Sequence, residues 1–340
     1  MTHRPDPVRN DNGGFDMLLR SFLAAPGLPF ADVLDAETID NAFRQRDALF
    51  AEHHTYSTAV VLWAFLAQVL SGDKLAACSA AVAQIAAWAT QAGRPVPRGN
   101  TGDYCRARGK LDLDALRDLV RLTGRRLDAA VDRTPDVTPD DGDPVHRPAK
   151  LVDGFTFTMP DTEANQQAFP QAHTQKPGVG LPIARAVVVL SLASAAICDL
   201  AVGPYLGKET GEPALLRRLM DAFDPGDIAV FDQCFGSYLM LAALSQRGVD
   251  VCTKLHQKRP PNLPTTRQLD DGTSLATWTR PDRPAWMPEK DYVQMPQTMT
   301  VRIVKLDIID EAYRPKTITV VTTLTDHHIY TPEFIALAHR

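Results

Sequence analysis

Apolar residues recur at spacings of three and four through the first third of the chain, which predicts amphipathic helices over 15–23, 38–50, 58–70, 76–92 and 113–131. Asp73 and Asp112 stand just ahead of two of these runs and read as caps or first-turn acids. Residues 15–133 are therefore expected to form an all-helical domain. The segment 1–14, dominated by Pro, Asn, Asp and Gly, reads as disordered, and 134–148, packed with Pro, Asp and Gly, reads as a linker.

Beyond the linker the period shortens to that of strands. Strand-like runs cover 150–159, 183–192, 195–202, 227–231 and 249–255, with helices over 212–223 and 235–247 and a loop over 160–167. Three strands followed by helix, strand, helix, strand suit a mixed sheet in which an antiparallel meander leads into parallel units, the order of an RNase H-like core. From 256 to 313 the helical signal vanishes, 274–279 and 300–309 alternate as strands do, and 280–288 is an extended aromatic loop. A further strand over 316–324 and a helix beginning at 331 close the chain. The expected fold class is α/β: an RNase H-like core of 149–255 and 314–340, carrying a β-rich insertion over 256–313 and preceded by the helical domain.

The strand over 227–231 hands its carboxyl end to Asp232, and the apolar run after it turns helical. Ligands sit at such strand tips in open α/β sheets, so Asp232 is a candidate for chemistry. An Asp in that place also serves as the N-cap of a following helix, and both readings stand. In an RNase H-like core the first acid lies on the first strand and the second near the end of the fourth, which are Asp153 and Asp232 here.

Composition narrows the classes. The 340 residues are 44% hydrophobic and 23% charged, ordinary for a soluble globular protein, and the net charge of −5 excludes an overall basic coat without excluding a local phosphate-binding face. Residues 94–126 hold nine Arg and Lys against four Asp, either a solvated helix face or a phosphate-contacting one, with Arg106, Arg108 and Lys110 as the candidates. The five cysteines are odd in number and contain no Cys-x-x-Cys pair, which argues for a reducing cytoplasm and against a disulfide framework or structural zinc. The polar N-terminus has no apolar signal region, and the apolar stretches 59–70 and 184–202 are interrupted by polar side chains, so no membrane span is expected. Lys254, His256, Lys258 and Arg259 follow the last core strand and are candidates for phosphate contact or a solvated loop, and Trp286 could stack on a base or pack on its own domain. Adjacent histidines occur at 53–54 and 327–328, and because neighbours on a helix or strand point apart, no metal cluster is expected of them.

Several stretches taken together resemble bacterial insertion-sequence transposases of the DDE type, in the IS-four family with its β-rich insertion. They include Thr101-Gly-Asp-Tyr-Cys-Arg-Ala-Arg108, Leu151-Val-Asp-Gly154, Met159-Pro-Asp-Thr-Glu-Ala-Asn165, Gln175-Lys-Pro-Gly-Val-Gly-Leu-Pro182, the segment 225–238, Arg283-Pro-Ala-Trp-Met287 and Val320-Val-Thr-Thr-Leu-Thr-Asp326, in collinear order. The resemblance implies a protein that binds transposon ends as a homodimer, then cuts them and joins them to target DNA. It implies two Mg²⁺ or Mn²⁺ ions held by three carboxylates, the first falling on Asp153 and the second on Asp232, within an Asp-Gln pair where the family has Asp-Arg. Asp227 is expected to start its strand and Asp161 to shape its loop. The family's third acid, a Glu in a Tyr-Arg-Glu-Lys pattern, has no counterpart before Arg340, and Glu333 lies about two turns too early on the same helix. The expectation is thus a truncated transposase lacking cleavage activity, the alternative being a non-catalytic DNA-binding remnant.

Overall fold

The computed structural model describes residues 13–52, 54–72, 76–131, 147–174, 176, 178–255, 264–308 and 316–338. The expected linker lies almost wholly outside them, as do Asp73, His256, Lys258 and Arg259. Two compact units divide the chain at Leu119/Val120.

The first unit is helical: α1 (Gly13–Leu23), α2 (Ala36–Arg44), α3 (Thr58–Leu70), α4 (Cys78–Gln91), α5 (Thr101–Arg108) and the first part of α6 (Leu113–Val131). Gly13 and Gly14, expected to be disordered, open α1. Asp35 caps α2 by accepting from Thr38 N at 2.7 Å, and Ile39, Ala42 and Phe43 then face inward. Helix α3 is apolar almost all round and correspondingly buried along 58–64. The short helix α5 escapes a periodicity argument because it is eight residues of mostly polar type. Asn100 starts it by accepting from Gly102 N at 2.9 Å.

The second unit is built on one mixed sheet of nine strands in the order β3-β2-β1-β4-β5-β9-β8-β7-β6. The strands are β1 (Ala149–Thr158), β2 (Ile183–Ser191), β3 (Ile197–Pro204), β4 (Ile228–Phe231), β5 (Asp250–Lys254), β6 (Thr265–Gln268), β7 (Ser274–Thr279), β8 (Thr298–Ile308) and β9 (Lys316–Thr322). β1, β2 and β3 form an antiparallel meander, β1 runs parallel to β4 and β4 to β5, and the remaining pairs are antiparallel. The β-rich segment does not stand apart as a second sheet, because β8 pairs along β9 and so extends the core sheet.

Two sheet faces carry separate cores. One gathers Val152, Ala229, Phe231 and Val251 under α8 (Glu212–Arg217) and α9 (Tyr238–Gln246), with Leu215, Leu216, Leu241 and Leu244. The other gathers Ile228, Val230, Cys252 and Val320 under α11 (Pro332–Ala338), which contributes Ile335. Two short helices correct the sequence reading. α7 (Glu163–Ala168) replaces the expected loop, started by Thr162 accepting from Asn165 N, and α10 (Glu289–Gln294) sits where no helical signal remained. Both are six residues long, under two turns, too short for an apolar period to show.

Candidate active site

The pleat and the register place three polar side chains side by side. Leu151, Val230 and Cys252 are opposite one another across β1, β4 and β5, on the face covered by α11. Two residues further along the chain come Asp153, on the same face of β1 by the two-residue period, Asp232, the first residue past β4, and Lys254, the last of β5. Neighbouring strands lie about 4.8 Å apart, so two acids and a lysine follow directly on the last paired positions of three parallel strands, with Asp153 in the middle of β1, Asp232 just past β4 and Lys254 at the end of β5. Asp153 and Asp232 are exposed and Lys254 is half-buried.

The backbone around Asp232 is fixed from below and behind. Thr253 Oγ1 on β5 donates to Asp232 O at 3.4 Å, and Phe235 N closes a turn onto the same carbonyl at 3.2 Å. A Cβ at Gly236 would meet Thr253 Oγ1 at 2.8 Å, so the turn packs on β5 only with glycine there. Ser237, not Asp232, caps α9, its Oγ accepting from Met240 N at 3.2 Å. That removes the capping role for Asp232, whose carboxylate accepts no hydrogen bond among the described residues. Gln233 adds an unmet demand, since its buried Oε1 has no donor there. Asp153 accepts only from the N–H of its own neighbour Gly154, at 2.8 Å.

A carboxylate that sequence reasoning did not single out, Glu212 at the start of α8, reaches this end of the sheet from the other face. Its side chain lies against Gly154, where a Cβ would come within 2.6 Å of Glu212 Cδ, and its Oε2 accepts from Cys234 Sγ at 3.3 Å. Although Cys234 is an exposed residue, its thiol is turned against Glu212. Burial of the sulfur and then that hydrogen bond push the thiol up to about 12. The signal for Glu212 was weak in sequence: an acid after Gly211 reads as a first-turn residue.

Asp153, Asp232 and Glu212 do not converge on one point. Among the described residues a single group of three has ligand atoms all within 4.8 Å of one another, and it is Asp270, His327 and His328. Glu333 is exposed on the first turn of α11. The two other acids near the site have structural work, as expected. Asp227 is buried in an ion pair with Lys150 at 2.6 Å, and Asp161 accepts from Gln166 Nε2 at 2.8 Å.

The proposed DNA contacts divide. Arg106 is exposed but paired with Asp103. Arg108 is committed to its own unit, donating to Gln68 Oε1 at 3.1 Å with its guanidinium over Phe65 and Tyr104. Lys110 is exposed near Phe50. Trp286 is 37% exposed with the guanidinium of Arg217 3.8 Å from its ring centroid, so part of the surface a base would use is already covered. No described helix is long and apolar enough to cross a membrane.

The sequence matches no protein-family model and no curated protein. Among solved structures, a piggyBac transposase synaptic complex with hairpin DNA aligns with 10% identity and a TM-score of 0.31, over 92% of this chain and 61% of that one. The NurA nuclease from Sulfolobus solfataricus aligns with 11% identity and a TM-score of 0.30, over 66% of this chain and 85% of that one. At such scores neither similarity establishes a fold or an activity for this chain. It spans less than two thirds of the piggyBac chain's length.

Proposed function

We propose that this chain is a DNA-binding protein of the DDE transposase class, with an RNase H-like core in which Asp153 and Asp232 are metal ligands. The observation that carries the reading is the register of β1, β4 and β5, whose last shared positions Val152, Phe231 and Thr253 are each followed by one of Asp153, Asp232 and Lys254. The two acids are exposed and take nothing from the protein but the Gly154 N–H on Asp153, as ligands awaiting a cation do, and hard oxygen donors suit Mg²⁺ or Mn²⁺. Divalent ions bound there would activate a water or 3′-hydroxyl and stabilise the leaving oxygen. Lys254 adds a positive charge beside the acids, where a phosphodiester would approach.

Because no third carboxylate converges with the pair among the described residues, metal is held weakly, and the chain binds transposon ends, as a homodimer, without cutting them. Arg106 and Lys110 are the exposed cations assigned to that contact. The test is a gel shift with duplexes carrying the terminal repeats, alongside a nicking assay in Mg²⁺ and Mn²⁺. Expected are an end-specific complex whose affinity falls several-fold on Arg106→Ala with Lys110→Ala, and no cleavage. Nicking at the ends that Asp232→Asn abolishes would establish catalysis and overturn the binding-only reading. Absence of any complex with end DNA would overturn the proposal as a whole.

A further inference from the structure

The turn after β9 holds a second cluster of ligand-type side chains, apart from the row just described. Asp326 Oδ1 accepts from His328 N at 3.0 Å and from Ile329 N at 3.3 Å, and Tyr330 N bonds back to Asp326 O at 2.9 Å. This curls the chain, so His327 and His328 do not alternate as they would on a strand. Their rings lie side by side with centroids 3.9 Å apart. That corrects the expectation that adjacent histidines here point apart.

Asp270, on the turn between β6 and β7, meets them. Its Oδ1 is 2.5 Å from His327 Nε2, and one ligand atom from each of the three residues lies within 4.8 Å of the others.

The two turns are locked to each other by a buried arginine. Arg302 on β8 is fully buried; it donates from Nε to Thr273 Oγ1 at 2.9 Å and bonds both to the Asp271 carboxylate and to Tyr330 O. Asp271 and Tyr330 are close neighbours of Asp270 and His328 in sequence, so one planar fork fixes both halves of the cluster before any ion arrives. Support of this kind behind a ligand set is what separates a site from a chance meeting of exposed side chains.

We propose that Asp270, His327 and His328 form a site for a borderline divalent cation of the Zn²⁺, Co²⁺ or Ni²⁺ class. Two imidazoles with one carboxylate select such ions over Mg²⁺ or Ca²⁺, which take oxygen ligands. Metal–nitrogen bonds of about 2.0–2.1 Å require donors about 3.3 Å apart in a tetrahedral site. The present spacing brackets that distance, with His327 Nε2 and Asp270 Oδ1 at 2.5 Å and all three ligand atoms within 4.8 Å of one another. An open position remains for water. The cation would pin the β6–β7 turn to the segment leading into α11, the helix that covers the Asp153 and Asp232 face.

The test is titration of the full chain with Co²⁺, followed by ligand-field absorption, and with Zn²⁺ against a competing chelating dye. Expected is one equivalent whose affinity falls at least tenfold in His328→Ala and in Asp270→Asn, with Mg²⁺ unable to compete. Zn²⁺ should raise the melting temperature of the native chain and of His328→Cys, which restores a ligand, but not of His328→Ala. His328 is exposed, so loss of fold in His328→Ala is not expected, and circular dichroism checks it. Equal stoichiometry and affinity in native chain and His328→Ala would overturn the proposal, leaving an ion pair only.

Discussion

Strands β1 and β4 carry charged groups at two levels, and the two levels treat them in opposite ways. Near the start, Lys150 and Asp227 are both nearly inaccessible and bond at 2.6 Å, with Asp224 N also donating to Asp227 and Ala222 O accepting from Lys150. Further along, Asp153 within β1 and Asp232 just past β4 are exposed and take nothing but a neighbouring N–H. A charge that holds structure is buried with its partners, since leaving it alone there is costly, whereas a charge meant for a ligand is kept open.

The largest break in that contrast comes from Lys150→Met. It strands the Asp227 carboxylate in the core and should cost about 3–5 kcal/mol in denaturant unfolding, while Lys150→Met with Asp227→Leu recovers most of the loss. Asp153→Asn and Asp232→Asn, by comparison, should move stability by no more than about 0.5 kcal/mol, because neither acid is used by the fold. A loss as large as that of Lys150→Met at either position would erase the distinction. Burial alone would lower Lys150, but the hydrogen bond and charge of Asp227 outweigh it and the net shift is upward. The pair's stabilisation is therefore complete below about pH 10 and fades as the pH climbs through the raised value, which unfolding midpoints across pH 8–12 would show.

A smaller effect is expected from Gly236→Ala, which forces a methyl into Thr253 and should cost about 1–3 kcal/mol. Thr253→Ala in the same chain should return part of it if the clash is the cause. Smallest is a change in reactivity. Cys234 stays protonated near neutral pH because its thiol is pushed up to about 12, so alkylation is slow. Glu212→Gln removes one cause of that shift and should speed iodoacetamide labelling of Cys234, leaving the fully buried Cys252 unreactive.

The long elements were legible because each obeys one period. α2 and α6 show apolar residues at three and four, and β2 is a run rich in valine that follows Pro182. Asp153 and Asp232 could be named from strand order, though that they share a face with Lys254 needed the register. α5, α7 and α10 could not be read, since the first is mostly polar and the other two run under two turns, each set by local caps and contacts rather than by a stripe. The histidine cluster was misread for a physical reason: direction along the chain was inferred from strand geometry, and one Asp326 side chain bent the backbone out of it.

β9 sits between the two halves of the sheet, pairing with β5 on one side and β8 on the other. β5 ends at Lys254 and β9 begins at Lys316, so the ladder is completed only when distant segments meet. Loop closure of that length must precede the contacts that reward it, which makes assembly of this unit slow and dependent on the arrival of β9. Until β9 docks, β5 and β8 each present an open edge, and any folding intermediate of this chain is exposed to edge-to-edge association at those two strands.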